Sequence, residues 1–401
     1  MLEESALRVS LARVRVLTAL IFASVTLQSG FADAASPSRR EPAGGSPQAS
    51  ATPPAAPPEA LTHDRRAAAG LALMPGIAVH GSGHYALGYR KTAYALLLTE
   101  LLGAALVFGG VVTEVRSGNS RQLAGPSVAA TVLGGGLVLA SFGADLYGTL
   151  TSDGDAAAAL PRAPARFESE VGYRYVADPH FDYRHFVVES LTLRRGDFRL
   201  TPCAWFATNA SNVRYRVEAA YRLLGLGPAE AGDRDDHLDL VLGGMHQRYL
   251  PEHFQRTGLD FALDARFDFA HLGDTLRGSF IDLGLGYGRA KIAYAIQGLA
   301  VPSDTDDLLL VRVGLGVALR GRAAAGSEAR IYYDHRHDDY AAGFLTPGRV
   351  SGVFGKFGGD LRWFFTPRLG VLADAQVGSA IVGGLSILFR EGRASRRGAA
   401  P

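Results

Sequence analysis

The densest polar run in this 401-residue chain is Tyr332-Tyr333-Asp334-His335-Arg336-His337-Asp338-Asp339-Tyr340. A histidine beside a carboxylate is the ordered half of a general-base pair, in which the acid orients the ring and the ring accepts a proton. Asp334, His335, His337 and Asp338 are therefore the candidate catalytic residues. The same four side chains could instead hold a divalent metal. A second set lies upstream. His80 and His84 are four apart in Val79-His80-Gly81-Ser82-Gly83-His84-Tyr85, a spacing that places both on one face if the stretch is helical. His80, His84 and Glu100 form a candidate metal set. Both sets also have plainer readings. The downstream run is then a charged loop, and the upstream histidines hydrogen-bond to helix ends and to Glu100. No cofactor is expected beyond such a metal.

Two local resemblances attach to these residues. The His-rich strand end at 334–338 is similar to that of outer-membrane lipid A deacylases. This similarity implies an acyl-transfer site near the outer leaflet, built on His335 or His337. In that family a serine follows the histidine by two positions; here Asp339 follows His337. His80 to His84 resembles the helical HExxH motif of zinc proteases, above all its intramembrane form HExGH. The motif's general-base Glu is replaced by Gly81, which leaves a metal-bound water with no base.

The elements that must position these groups follow from composition and period. Net charge is +2 with 20% charged residues, which excludes a nucleic-acid partner of the usual basic-faced kind. Mean hydropathy is +0.08, high for that charge load. The single cysteine, Cys203, excludes an internal disulfide and a thiolate zinc cluster. There is no Walker loop and no GxSxG elbow. Gly284-x-Gly286-x-Gly288 reads as strand glycines, because no helix follows it.

Residues 1–34 read as an export signal. Arg8, Arg13 and Arg15 precede the apolar stretch Leu17 to Val25, and Ala32-Asp33-Ala34 is a small-x-small cleavage site. Residues 35–65 are Pro- and Ala-rich and should form an extended linker. Residues 66–150 form an apolar block of two to three helices. Its segments Thr92–Val115 and Pro126–Leu150 are each long enough to cross a bilayer. Gly109-Gly110 and Gly134 to Gly136 would let helix backbones approach closely. Glu100 and Asp145 sit inside this block, where an ionisable group needs a partner.

From 166 to 390 the period becomes two. Val213, Tyr215, Val217, Ala219, Tyr221 and Leu223 alternate with Arg214, Arg216, Glu218 and Arg222. Leu259, Phe261, Leu263, Ala265, Phe267 and Phe269 alternate with Asp260, Asp264, Arg266 and Asp268. One face is apolar and the other charged. The 20 Phe and 15 Tyr gather near run ends, as interfacial girdles do. The expected fold is mainly β: an antiparallel membrane β-barrel of about 10 to 12 strands behind the helical block, with 391–401 as a tail. The charges of the inner face could form a salt-bridged network that fills a narrow lumen.

Three functional readings follow. The first is an outer-membrane barrel with a structural, adhesive or small-solute transport role, set in membrane lipid and lipopolysaccharide. The second is an outer-membrane lipid hydrolase using His335 or His337. The third is an inner-membrane helical protein with a soluble periplasmic β domain, since apolar helices of this length ordinarily stop export at the inner membrane. The sequence names no protein partner.

Overall fold

Alternation of the kind seen at 213–223 can bury only one face of a strand. In the computed structural model the strands resolve this by closing on themselves. The structure describes residues 59–118, 120–151, 165–179, 181–225, 236–250, 253–293, 295–296, 299–300, 303–319, 326–341, 344–345 and 353–393. The export signal, the linker before Glu59 and the tail after Arg393 lie outside the described residues. Contacts divide the chain into Met1–His63 and Asp64–Pro401, and the barrel belongs to the second unit.

Four helices come first: α1 (Glu59–Leu73), α2 (Ser82–Ala86), α3 (Arg90–Arg116) and α4 (Arg121–Leu150). Twelve barrel strands follow. They are β1 (Ala165–Ala177), β2 (His185–Arg195), β3 (Phe198–Ala207), β4 (Asn212–Gly225), β5 (His237–Tyr249) and β6 (Phe254–Asp268), then β7 (Ser279–Ala293), β8 (Asp304–Ala318), β9 (Glu328–Asp334), β10 (Lys356–Phe364), β11 (Leu369–Val377) and β12 (Ile381–Arg393). Each pairs antiparallel with its neighbour, and β12 pairs with β1 from Ala165↔Arg393 to Ala177↔Ile381, which closes the ring. Two-residue strand pairs at 295–300 and 344–354 sit in the connections.

Because the strand number is even, both ends of the barrel segment leave the same rim, here called the terminal rim. Two tight turns lie there: Gly196 takes φ 60 between β2 and β3, a backbone region that favours glycine. Thr366 Oγ1 accepts from the Arg368 and Leu369 N–H groups in the β10–β11 turn. The long connection from β9 to β10 lies at the opposite loop rim. Connections of ten or more residues occur at both rims, 226–236 and 269–278 at the terminal rim and 294–303 and 335–355 at the loop rim, so loop length does not set the two rims apart.

Sidedness is inverted relative to a soluble sandwich. Leu259 is 73% exposed and Ile387 63%, both pointing outward, whereas the inward Arg174 is 4% exposed and Asp260 8%. Exposed aromatics form a band near each rim: Tyr173, Tyr175, Phe206 and Tyr215 at the loop rim, and Phe198, Tyr221, Trp363 and Phe365 at the terminal rim. An apolar outside around a charged inside is stable only against hydrocarbon, which removes the reading of a soluble β domain.

The helical block packs on the outer wall. Helices α3 and α4 meet at small residues: a Cβ on Gly134 would lie 2.5 Å from the Gly103 carbonyl oxygen, and one on Gly110 would meet Thr131 Oγ1. A second row of notches faces the barrel, where a Cβ on Gly136 would strike Val313 and one on Gly143 would strike Leu315. Leu96, Ala140, Ala144, Phe269, Leu276, Ile281 and Val313 form the joint core. Gly109 and Gly135 face open space, so proximity in sequence to the contact glycines gave them no packing role.

We expect Gly136→Leu to lift α4 from β8 at a cost of about 1–3 kcal/mol. Trypsin cleavage at Arg90 and Lys91 should accelerate in this variant and not in Gly135→Leu. Equal protection of both variants would contradict the docking.

Candidate functional site: the charged lumen and its stopper

Inward positions of neighbouring strands carry opposite charges, and the barrel curvature brings non-adjacent strands within reach as well. Arg216 on β4 binds Glu218 at 2.7 Å and Asp260 on β6 at 3.0 Å. Arg266 reaches Asp282 on β7 at 2.8 Å and Glu328 on β9 at 3.2 Å. Arg330 joins Asp282 at 3.2 Å to Asp360 on β10 at 2.8 Å. Arg362 crosses to Glu168 on β1 at 3.1 Å. Arg174 holds Glu170 at 2.7 Å and Asp374 at 2.8 Å. Charges withdrawn from water need such pairing, so these bonds let the polar face close on itself.

Past β9 the chain does not leave into a free loop. Residues 336–341 turn into the lumen. Tyr340, 4% exposed, packs on Phe186 (ring centroids 4.6 Å), Trp205 (5.3 Å) and Tyr183 (5.5 Å), and its hydroxyl donates to Asn212 Oδ1 at 2.9 Å. Val176, Val188, Tyr249, Ala341, Ala380 and Val382 complete an apolar stopper under the loop rim. Arg336 anchors it to Asp260 at 3.1 Å, and Lys356 pairs with Asp339. Below lie a cavity of about 260 Å³ and, toward the terminal rim, another of about 370 Å³; both are lined by Glu218, Asp264 and Arg312.

The four candidate catalytic residues divide around this turn. His335 extends the ladder by donating its N–H to the Val311 carbonyl, and its Nδ1 lies 2.9 Å from the Tyr333 hydroxyl. The His337 ring meets it edge-on at 4.6 Å. Asp334 accepts from the Arg336 N–H at 3.0 Å, and Asp338 is 3.4 Å from the Arg336 guanidinium. Burial, with His337 adding to it, pushes the His335 imidazole down to about 4, and burial lowers His337 as well. Among the described residues the only hydroxyl bonded to either ring is that of Tyr333, and no serine or threonine stands at nucleophile distance.

The upstream set is split rather than gathered. Residues 80 and 81 form a turn, and only Ser82–Ala86 is helical, because Gly81 adopts φ 89. The His80 N–H donates to Glu100 at 2.9 Å, while its ring lies 2.5 Å from Ser141 Oγ. The His84 ring turns elsewhere, to Asp145 at 2.6 Å and to Thr275 Oγ1, in the β6–β7 connection, at 3.0 Å. Asp145 also accepts from the Gly81, Gly83 and His84 N–H groups. Among the described residues no group of three or more His, Cys, Asp or Glu could hold a metal. The series Thr275, His84, Asp145 has the connectivity of hydroxyl, base and orienting acid. All three are buried, however, and in this position they clasp the helical block to the barrel. Asp145 was recognisable in sequence as needing a partner, but nothing local pointed to Thr275, 130 positions away from it.

The architecture is that of a membrane β-barrel. Scans of protein-family descriptions and of curated proteins each found no match. Among solved structures, the chain is similar to Omp33, an outer membrane protein of Acinetobacter baumannii (12% identity over 57% of this chain and 99% of that one, TM-score 0.31). It is also similar to the translocator domain of the autotransporter NalP from Neisseria meningitidis (13% identity, 59% and 92%, TM-score 0.35). A third similar structure is the NanC porin (12% identity, 56% and 100%, TM-score 0.32). At these values the likenesses carry no weight on activity; the barrel stands on its own strand order and sidedness.

Asp145→Ala should leave three backbone donors and a buried imidazole without their acceptor, at a cost of about 3–5 kcal/mol. A lowered urea midpoint with faster cleavage at Arg90 is the expected readout, and an unchanged midpoint would refute the clasp. Acid should loosen the stopper. An exposed imidazole gains its proton near 6.5, whereas buried His335 stays neutral to about 4, so the unfolded segment binds more protons between those values. Stability of the 335–341 turn therefore falls as pH drops from about 6.5 toward about 4. Protease cleavage of the turn at graded pH measures this, and His335→Gln should flatten the profile.

Proposed function

We propose that this chain is an outer-membrane protein of the bacterial envelope whose barrel is a sealed, structural span rather than an open pore. The observation that carries the reading is the Tyr340 stopper, seated in the lumen above a wall of cross-strand ion pairs. A water-filled porin needs a continuous polar passage. Here the passage is interrupted by aromatic rings packed at interior distances. Export through the signal at 1–34, lipid against the exposed apolar belt and lipopolysaccharide around the loop rim belong to the same reading.

A second reading, passage of a small solute, is favoured by the two lumen cavities with their shared lining. It requires the stopper to move. Planar-bilayer recording separates the two readings. The full chain should show no sustained open conductance, whereas Tyr340→Ala, which removes the ring that fills the loop rim, should conduct measurably. Steady porin-like conductance by the unaltered chain would overturn the sealed barrel.

A further inference from the structure

We propose that the upper lumen cavity is a binding site for a small organic carboxylate with an aromatic or apolar body. The inference goes beyond the sealed-barrel reading and holds whether or not the barrel conducts.

The argument starts from Arg214. Its neighbours in the wall are paired, yet among the described residues Arg214 makes no hydrogen bond or ion pair. It is only 7% exposed and lines the cavity of about 260 Å³. Its guanidinium lies 5.5 Å from the Tyr340 ring centroid. A buried guanidinium left unpaired is costly, and a site that retains one is built around a missing anion. Two further donors on the same cavity are unused: Arg216 Nη1 and Arg312 Nε are buried without a partner.

The acids on this cavity are already engaged. Glu218 is taken by Arg216, Asp260 by Arg216 and Arg336, and Asp264 by Arg312. Asp334 accepts from the Arg336 N–H, and Asp339 holds Lys356. Asp338, outside the lining, is paired with Arg336 through one oxygen while the other has no hydrogen-bond partner, and its charge acts on Arg214 without bonding to it. The lining carries five cations (Arg214, Arg216, Arg312, Arg336 and Lys356) and five carboxylates (Glu218, Asp260, Asp264, Asp334 and Asp339), so the surplus is in unused hydrogen-bond donors and not in net charge. Those donors can be met by an acceptor of at most one negative charge, whereas a phosphate carrying two would unbalance the lining and face the engaged carboxylates. Guanidinium forks match the planar carboxylate in geometry. The remaining wall includes Trp205, Tyr340, Leu285 and Leu310, which suits a ring or short apolar body.

Benzoate is a suitable test ligand, with benzamide as its uncharged counterpart of the same shape. The full chain, folded in detergent, is titrated with each by calorimetry. Benzoate should bind one to one in the millimolar range or tighter, and benzamide should not. Arg214→Gln, checked for heat-modifiable gel migration, should weaken benzoate about tenfold or more. If that variant does not fold, Cys203 takes its place as the reporter, since it is the chain's single cysteine and lines the same cavity. Benzoate should then slow its reaction with a small thiol reagent. No benzoate binding, equal binding of benzamide, undiminished binding by folded Arg214→Gln, or unchanged Cys203 labelling would each overturn the proposal.

Discussion

Hydrocarbon offers no partner to a backbone N–H or C=O, and this constraint shapes every part of the molecule. A sheet in that medium can have no edge. The ring therefore closes through the twelve-residue register between β1 and β12, Glu168 opposite Arg390 and Val176 opposite Val382. Closure fixes the sidedness. Alternate residues point either at lipid or into an enclosed lumen, and that lumen must neutralise whatever charge it receives. The ladders from Arg174 to Asp374 and from Arg330 to Asp360 are consequences of closure as much as supports for it.

The helical block obeys the same constraint by another route. Helices α3 and α4 have mean hydropathies of 2.1 and 1.7 over their most apolar windows, long and apolar enough to span by length and composition. Apolar packing alone gives little specificity in lipid, where every side chain finds hydrocarbon contact anyway. Specificity comes instead from shape and from polar clasps. Gly136 and Gly143 admit Val313 and Leu315, and Asp145 gathers three N–H groups and an imidazole at one end. Polar groups in this apolar helical block are, in the folded chain, what holds the block to the barrel wall.

The stopper shows how sealing and recognition can arise from one segment. Tyr340 closes the loop rim with its ring, while the same ring forms part of the wall beside Arg214. Arg336 and Lys356 tie the turn to carboxylates of the wall. The seal is therefore electrostatic below and aromatic above, and the two layers meet where unused guanidinium donors remain.

Much of this was legible in the residues. The period of two in 213–223 and 259–267 set which side chains face lipid, and an even strand count was required once a barrel was read. The last hairpin at Gly378–Ala380 completes the twelve strands. The sequence also marked Asp145 and Glu100 as needing partners. It could not say which partners, because a strand pattern records the face of each residue but not its neighbour across the ring. Arg362 meets Glu168 and His84 meets Thr275 only after closure and docking. Likewise, 334–340 read as a surface loop because charged residues with no period look solvated. Only the fold supplied an inner surface already lined with acids and aromatics, into which that run could turn. The sequence by itself determined the alternation of an apolar with a charged face, and so the expectation of a membrane barrel; that the ring closes came from the tertiary structure. The tertiary structure decided what fills it, because filling depends on contacts between residues far apart in the chain.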